Sequence, residues 1–213
     1  MKPYYEHAGI TIYHGDARDV AEQWRGLRGH SFDLTLTDPP YGHGDKWAGG
    51  TWASDPMYAD AMQWDAQTLP DGDLIELLTF APWACVWGGN YYRMPPSRSW
   101  LSWVKSSQMQ TMADFELAWT NFDKPSKMLR EDRNADGKRW HPTQKPESVM
   151  RWAILQTPEP VFRIFDPFMG SGTTLVAAKR LGKQAIGIEL REDYCEIAVK
   201  RLAQEALPLE LGA

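Results

Sequence analysis

The stretch Val161-Phe162-Arg163-Ile164-Phe165-Asp166-Pro167-Phe168-Met169-Gly170-Ser171-Gly172-Thr173-Thr174 runs from an apolar segment through a glycine-bearing turn into the helical pattern Leu175 to Leu181. A strand, a tight turn and a helix N-terminus let backbone approach a ligand closely, with free N–H groups directed at a negative group. Such a turn suits a nucleotide. A phosphate-cradling P-loop requires Gly-Lys-Ser/Thr, and here Gly172 is followed by Thr173 and Thr174. The dinucleotide fingerprint fails as well, because Leu175 stands where its third small residue belongs. Nucleoside triphosphates and NAD both lose ground.

Downstream, Gln184 to Ile188 reads as a strand that ends in Glu189, about 20 residues beyond the turn, the spacing at which an acid meets a ribose diol. The plainer role for Glu189 is a solvated residue opening the next helix, Arg191 to Ala206, whose apolar stripe is Tyr194, Ile197, Ala198 and Leu202. Far upstream, the alternating run Phe32 to Thr37 ends in Asp38-Pro39-Pro40-Tyr41. Two consecutive prolines hold φ near −65° and carry no N–H, so the turn presents a carboxylate, free carbonyls and an aromatic ring together. That equipment grips a planar amine, although strands also end in proline turns for no chemical purpose.

Further strands are predicted at Ile10–His14, Ala84–Trp87, Trp100–Val104 and Phe115–Trp119, with helices at Arg18–Trp24, Met57–Leu69, Asp73–Thr79 and Glu147–Gln156. Strands alternating with helices imply an α/β domain with a mostly parallel sheet covered on both faces. The 213 residues are 43% hydrophobic and 24% charged, ordinary for a soluble protein of one domain. No apolar stretch reaches the roughly 20 residues of a membrane helix and the N-terminus lacks a signal-peptide core, so a cytoplasmic, non-membrane protein is expected. Cys85 and Cys195 read as buried fillers, and five scattered histidines make no metal pattern. The net charge is −5, yet residues 91–152 carry eleven Lys and Arg against seven acids, a modestly basic region on an acidic body.

The two turns resemble the motifs of the amino-methylating DNA methyltransferases that use S-adenosylmethionine (AdoMet): Asp38-Pro39-Pro40-Tyr41 the catalytic motif, and Asp166 to Thr174 the AdoMet motif. His141-Pro142-Thr143-Gln144-Lys145-Pro146 is similar to the HPTQKP element of the family's β group, and the catalytic motif precedes the AdoMet motif as in that permuted group. Gly88 to Tyr92 (GGNYY) and Trp103 to Lys105 (WVK) extend the likeness along nearly the whole chain.

The resemblance implies a single Rossmann-like catalytic domain spanning 1–213, with a seven-stranded sheet in permuted order. It implies double-stranded DNA as partner and AdoMet as cofactor, and it sets the two motifs on neighbouring central strands. Asp38 and the Pro39 carbonyl would take the amine hydrogens, with Tyr41 stacked on the base and the base flipped from the duplex. Asp16, after the first strand, looks like the contact to the AdoMet adenine; a helix cap is its local alternative. The methionine part of AdoMet would lie against Phe168, Gly170 and Gly172 in the turn that also holds Pro167, Ser171, Thr173 and Thr174. Thr143 and Lys145 would stand near its carboxylate, unless Lys145 is an ordinary surface lysine before a helix.

An Asp at the first motif position leans toward N6 of adenine within the family, and N4 of cytosine is the alternative. An RNA or protein N-methyltransferase of the same fold is a more distant one. Residues 42–55 and 121–140 are expected to be mobile loops against DNA, with Trp47 and Trp52 as stacking candidates. A homodimer and a cognate restriction nuclease are left open.

Overall fold

The segment Leu34-Thr35-Leu36-Thr37 alternates apolar and hydroxyl side chains, and all four are buried. A strand covered on both faces belongs at the centre of a parallel sheet. In the computed structural model, which describes residues 2–24, 26, 31–44, 65–107, 113–137, 140 and 143–204, this strand (β3) does lie centrally. The other strands are β1 (Tyr5–His7), β2 (Ile10–His14), β4 (Trp83–Trp87), β5 (Trp100–Lys105), β6 (Phe115–Thr120), β7 (Lys127–Glu131), β8 (Arg163–Asp166) and β9 (Gln184–Glu189). They form one sheet in the order β1-β2-β9-β8-β3-β4-β6-β5-β7. From β2 through β9, β8 and β3 to β4 every pairing is parallel, whereas β6 runs antiparallel to both β4 and β5.

Among the described residues five α-helices cover the sheet: α1 (Ala17–Gln23), α2 (Asp71–Leu78), α3 (Glu147–Leu155), α4 (Thr173–Arg180) and α5 (Glu192–Ala203). The period of two along each strand sorts its side chains. Leu34, Leu36, Cys85, Trp87 and Ile164 join a core with α3, α4 and α5. Phe165 packs with α1, and Ala84 and Val86 pack with α2, on the opposite face. Trp87, Trp103 and Trp119 are core residues, as their apolar strands imply. Among the described residues no helix is long and apolar enough to cross a membrane.

The sheet has nine strands rather than the expected seven, and both additions sit at its edges. Tyr5–His7 folds back on β2 through Ala8 and Gly9, both at positive φ (50° and 79°), the backbone of a tight hairpin turn. Lys127–Glu131 lies within the stretch 121–140 expected to be a loop, yet it pairs in parallel with β5. Its polar residues are mostly exposed, so it lacks the apolar alternation by which strands are recognised, as suits an edge. Of the helix expected over Met57–Leu69, residues 57–64 lie outside the described residues, and 65–69 form a turn and an irregular segment. Residues 45–55 of the first loop, with Trp47 and Trp52, also lie outside them, as do His141 and Pro142.

From β8 the chain passes through α4 to β9 on one side, and from β3 it proceeds to β4 on the other. The winding therefore reverses between β8 and β3, where the carboxyl ends of the strands leave a crevice for ligands. Asp38 follows β3 directly and Asp166 ends β8.

Candidate active site

The side chains of the two turns meet at this reversal. Leu34 and Thr35 lie opposite Ile164 and Phe165, and the Thr37 hydroxyl donates to Asp166 Oδ1 at 2.8 Å, tying one motif to the other. A cleft of about 500 Å³ opens above them, within the range of small-molecule sites. It is lined by Asp16, Asp38 to Tyr41, Thr143, Lys145, Asp166 to Ser171, Thr173, Thr174 and Glu189. Of the site residues expected from sequence, Gly172 alone is missing from this wall. It begins α4 in the left-handed region (φ 81°), and a Cβ there would stand 2.7 Å from that of Ala198. Gly172 thus serves the close packing of α4 on α5.

The Asp38 turn is clamped by Asp65, which sequence reading does not single out, and by Tyr92 of the GGNYY stretch. Asp65 Oδ1 accepts from the backbone N–H groups of Tyr41 (2.6 Å) and Gly42 (3.0 Å), and the Tyr92 hydroxyl donates to the Pro40 carbonyl (2.5 Å). Tyr41 donates its hydroxyl to Asp38 Oδ1 (2.5 Å), and its ring stacks on Tyr91 with centroids 4.9 Å apart. Stacking on a target base was the expected role of this ring; one face is already committed to Tyr91, and only its share of the cleft wall remains for a ligand. The ring also rests against Gly88, where φ is +68° and a Cβ would stand 2.0 Å from Tyr41 Cε1. Gly88→Ala therefore forces the ring aside and costs about 1–3 kcal/mol of backbone strain. If the chemistry implied by the resemblance is run here, it should be at least about tenfold slower with ligand affinity intact, because the phenol no longer orients Asp38. A variant as fast as the parent in single-turnover assays removes Tyr41 from the machinery.

Lys145 lines the cleft, and its ammonium is engaged by the Asp38 turn and β6. Its side chain is 2% exposed, and Nζ donates to Asp38 Oδ2 (2.5 Å), Tyr41 Oη (2.9 Å) and Glu116 Oε2 (3.2 Å). All three N–H bonds are used, so none is free for the carboxylate of a bound methionine group. Burial alone would lower the Lys145 pKa, but Asp38 and Glu116 outweigh it and hold the ammonium protonated. The Asp38 carboxyl is raised above its usual range by burial, with the Glu116 charge adding to that and Lys145 opposing it. Glu116 has no motif around it; its only sequence signal is an acid inside the apolar strand Phe115 to Trp119.

On the other wall, Asp166 Oδ1 also accepts from the Phe168 N–H (3.1 Å), and burial pushes this carboxyl up to about 6. Glu189 accepts from the N–H groups of Gly170 (3.0 Å) and Arg191 (2.8 Å) and is pushed by burial up to about 7. Asp16 caps α1 through the Arg18 N–H (2.8 Å) and pairs with the Arg18 guanidinium, so the cap role is real while the residue also faces the cleft. From α5, the buried Arg201 Nη1 donates to Ser171 O, Ser171 Oγ and Thr173 Oγ1 at 2.8–3.0 Å and stitches the glycine turn to the last helix. Arg201 looks in sequence like any helical surface arginine.

The chain matches the family model described as DNA methylase over residues 81–200. Type II methyltransferase M.ScaI of Streptomyces caespitosus is 26% identical over 98% of this chain and 86% of its own length. Other curated relatives match over shorter stretches, 20–24% of their own length. Among solved structures, the M1.HpyAVI–SAM complex superposes with a TM-score of 0.57 at 23% identity, covering 91% of this chain and 99% of that one. The PvuII DNA methyltransferase, cytosine-N4-specific, gives 0.62 at 17% identity over 97% of this chain and 90% of that one. These likenesses establish the fold. With its two turns in one cleft and the family model matched over more than half its length, the chain belongs to the amino-methylating N6/N4 DNA methylase family.

Proposed function

We propose that this protein transfers a methyl group from S-adenosylmethionine to the N6 amine of adenine in double-stranded DNA, acting on a base flipped out of the duplex. The observation that carries the reading is the convergence of Asp38 and the Asp166 turn on adjacent strand ends in one cleft. The residues present suit AdoMet. Above Gly170 an added Cβ would meet nothing within 4 Å, which leaves room for close approach, and Glu189 and Asp166 supply acceptors for hydroxyl and amine groups. When bound, AdoMet supplies an activated methyl group on a sulfonium.

The protein's own residues do the rest. An exocyclic amine is a weak nucleophile because its lone pair is delocalised into the ring. Asp38 and the Pro39 carbonyl accept its two hydrogens and turn the lone pair toward the donor; the Pro40 carbonyl is taken by Tyr92. Positioning and electrostatic complementarity then provide most of the acceleration. Extruding the base costs a few kcal/mol, which contacts in the cleft must offset.

Adenine is favoured over cytosine by Asp38, since an aspartate rather than a serine opens the motif. The fold does not choose between them, because a cytosine-N4-specific enzyme shares it. Incubation with labelled AdoMet and DNA, RNA or protein, followed by nucleoside analysis, tests the reading directly. N6-methyladenine in DNA is expected. N4-methylcytosine would shift the substrate, and label confined to RNA or protein would end the DNA reading.

AdoMet binding should depend on pH. A ribose hydroxyl donates to the ionised form of Glu189, so binding favours deprotonation, and a carboxyl near 7 must give up its proton first at lower pH. We expect the dissociation constant to rise as pH falls from 8 through 7 toward 6, approaching about tenfold per pH unit below the midpoint. Asp166 adds a second inflection near 6. Calorimetry should find this slope in the parent and its upper part missing in Glu189→Gln; a flat profile in the parent removes Glu189 from the ligand.

A further inference from the structure

Four charges alternate in sign from the cleft into the sheet. Asp38 meets Lys145 at 2.5 Å, Lys145 meets Glu116 on β6 at 3.2 Å, and Glu116 turns its other oxygen to Lys105 on β5 at 2.8 Å. Exposure of these side chains is 23%, 2%, 24% and 11%, so the network is largely withdrawn from water. Charges held in such surroundings interact strongly, and a change at one end reaches the other.

A carboxylate with a lysine of its own is a poor base, because the ammonium neutralises it and holds its pKa down. Asp38 does not have Lys145 to itself. Glu116 shares the same Nζ, and Lys105 in turn draws part of Glu116 away. We infer that Glu116 is a positioning residue which, by dividing Lys145 with Asp38, leaves Asp38 basic enough to take the proton released by the methylated amine. This rests on the amine-methylation reading. In the step, the nitrogen–carbon bond forms as the carbon–sulfur pair leaves with sulfur; an N–H proton passes to Asp38 Oδ, and its electron pair stays on nitrogen. The raised Asp38 pKa, with burial first and Glu116 contributing to it, agrees with this.

The groups that face Asp38 are Tyr41 on its own turn, Lys145 before α3, Glu116 on β6, and, across the cleft, Asp166 at the end of β8. Tyr92, after β4, feels its charge, and Cys85 on β4 feels that of Lys145. Glu116 and Lys105 can be changed without replacing a group that contacts Asp38 directly.

The two substitutions act in opposite directions. Glu116→Gln returns Lys145 wholly to Asp38 and lowers the Asp38 midpoint. Lys105→Gln throws Glu116 back on Lys145, loosens the lysine from Asp38 and raises it. Carboxyl 13C NMR of aspartate-labelled protein reads that midpoint without substrate, with the Asp38 signal identified by its loss in Asp38→Asn. Shifts of about half a unit or more, down for Glu116→Gln and up for Lys105→Gln, are expected. The acid limb of single-turnover methylation should move the same way, with a fall in maximal rate for Glu116→Gln and little change in AdoMet affinity. Midpoints that stay put, or that move together, overturn the inference, as does a slow Glu116→Gln enzyme with the parent's pH profile, which marks a merely structural role. If Glu116→Gln does not fold, the sign of the Lys105→Gln shift decides. A parent protein that never methylates DNA refutes the functional reading instead, while the NMR midpoints still judge the coupling.

Discussion

Asp38→Ala should lower methyl transfer to DNA by about a thousandfold or more while AdoMet binds within about threefold of the parent. The loss is large because, on the proposed reading, one carboxylate performs two tasks that differ between ground and transition states. It would accept an amine hydrogen to orient the lone pair, and it would accept the proton that the nitrogen sheds as it gains carbon. Ligand affinity should survive because the opposite wall, Asp166 to Gly170 with Glu189, is held by its own contacts through Thr37, Gly170 and Arg191. Lys145 keeps Glu116 as partner, so the site does not collapse around an unpaired ammonium. Single-turnover assays with calorimetry separate the two quantities. An alanine variant that methylates at the parent rate would sink the assignment, and one that binds no AdoMet would show that the two walls are not independent.

Lys145→Met should have the largest effect on stability. Removing the ammonium leaves Asp38 without a cation and Glu116 with Lys105 alone, and breaking a buried pair in this way costs about 3–5 kcal/mol. The dependence on pH gives the cause away. In the parent, Lys145 and Lys105 overcome burial and hold the Glu116 pKa down, so that group stabilises the fold above its unfolded value of about 4.5. Without Lys145, burial acts unopposed on Asp38, its folded pKa rises further above the unfolded value, and stability is lost as pH climbs through it. The deficit relative to the parent should therefore be greatest near pH 8 and shrink toward pH 5. A deficit of equal size at both would assign the cost to packing rather than charge. An unchanged melting temperature would mean that the network contributes nothing to the fold.

Lys145 also shows where sequence reading stops. Its motif marked it as a residue of the site; it lines the cleft, and its ammonium bonds Asp38, Tyr41 and Glu116. A motif records that a residue is needed near the site, not which neighbour its flexible side chain reaches. The same holds for Gly172, whose special backbone was readable and whose purpose, contact with Ala198, was not. Glu116, Asp65 and Arg201 carried no local signal because each acts on a partner more than twenty residues away. Edge strands β1 and β7 escaped for a related reason: they bury little, so neither shows the apolar period that the covered strands display.

The chain's own order of residues determined the α/β class, the strand-turn-helix units and the two motifs, because hydrophobic period, proline and glycine act over a few neighbouring positions. Tertiary structure alone decided that one lysine is shared between two carboxylates, and which groups in the cleft are already occupied. Those depend on distances between residues remote in the chain. Such distances are set by how the sheet closes its core on both faces, which no local pattern records.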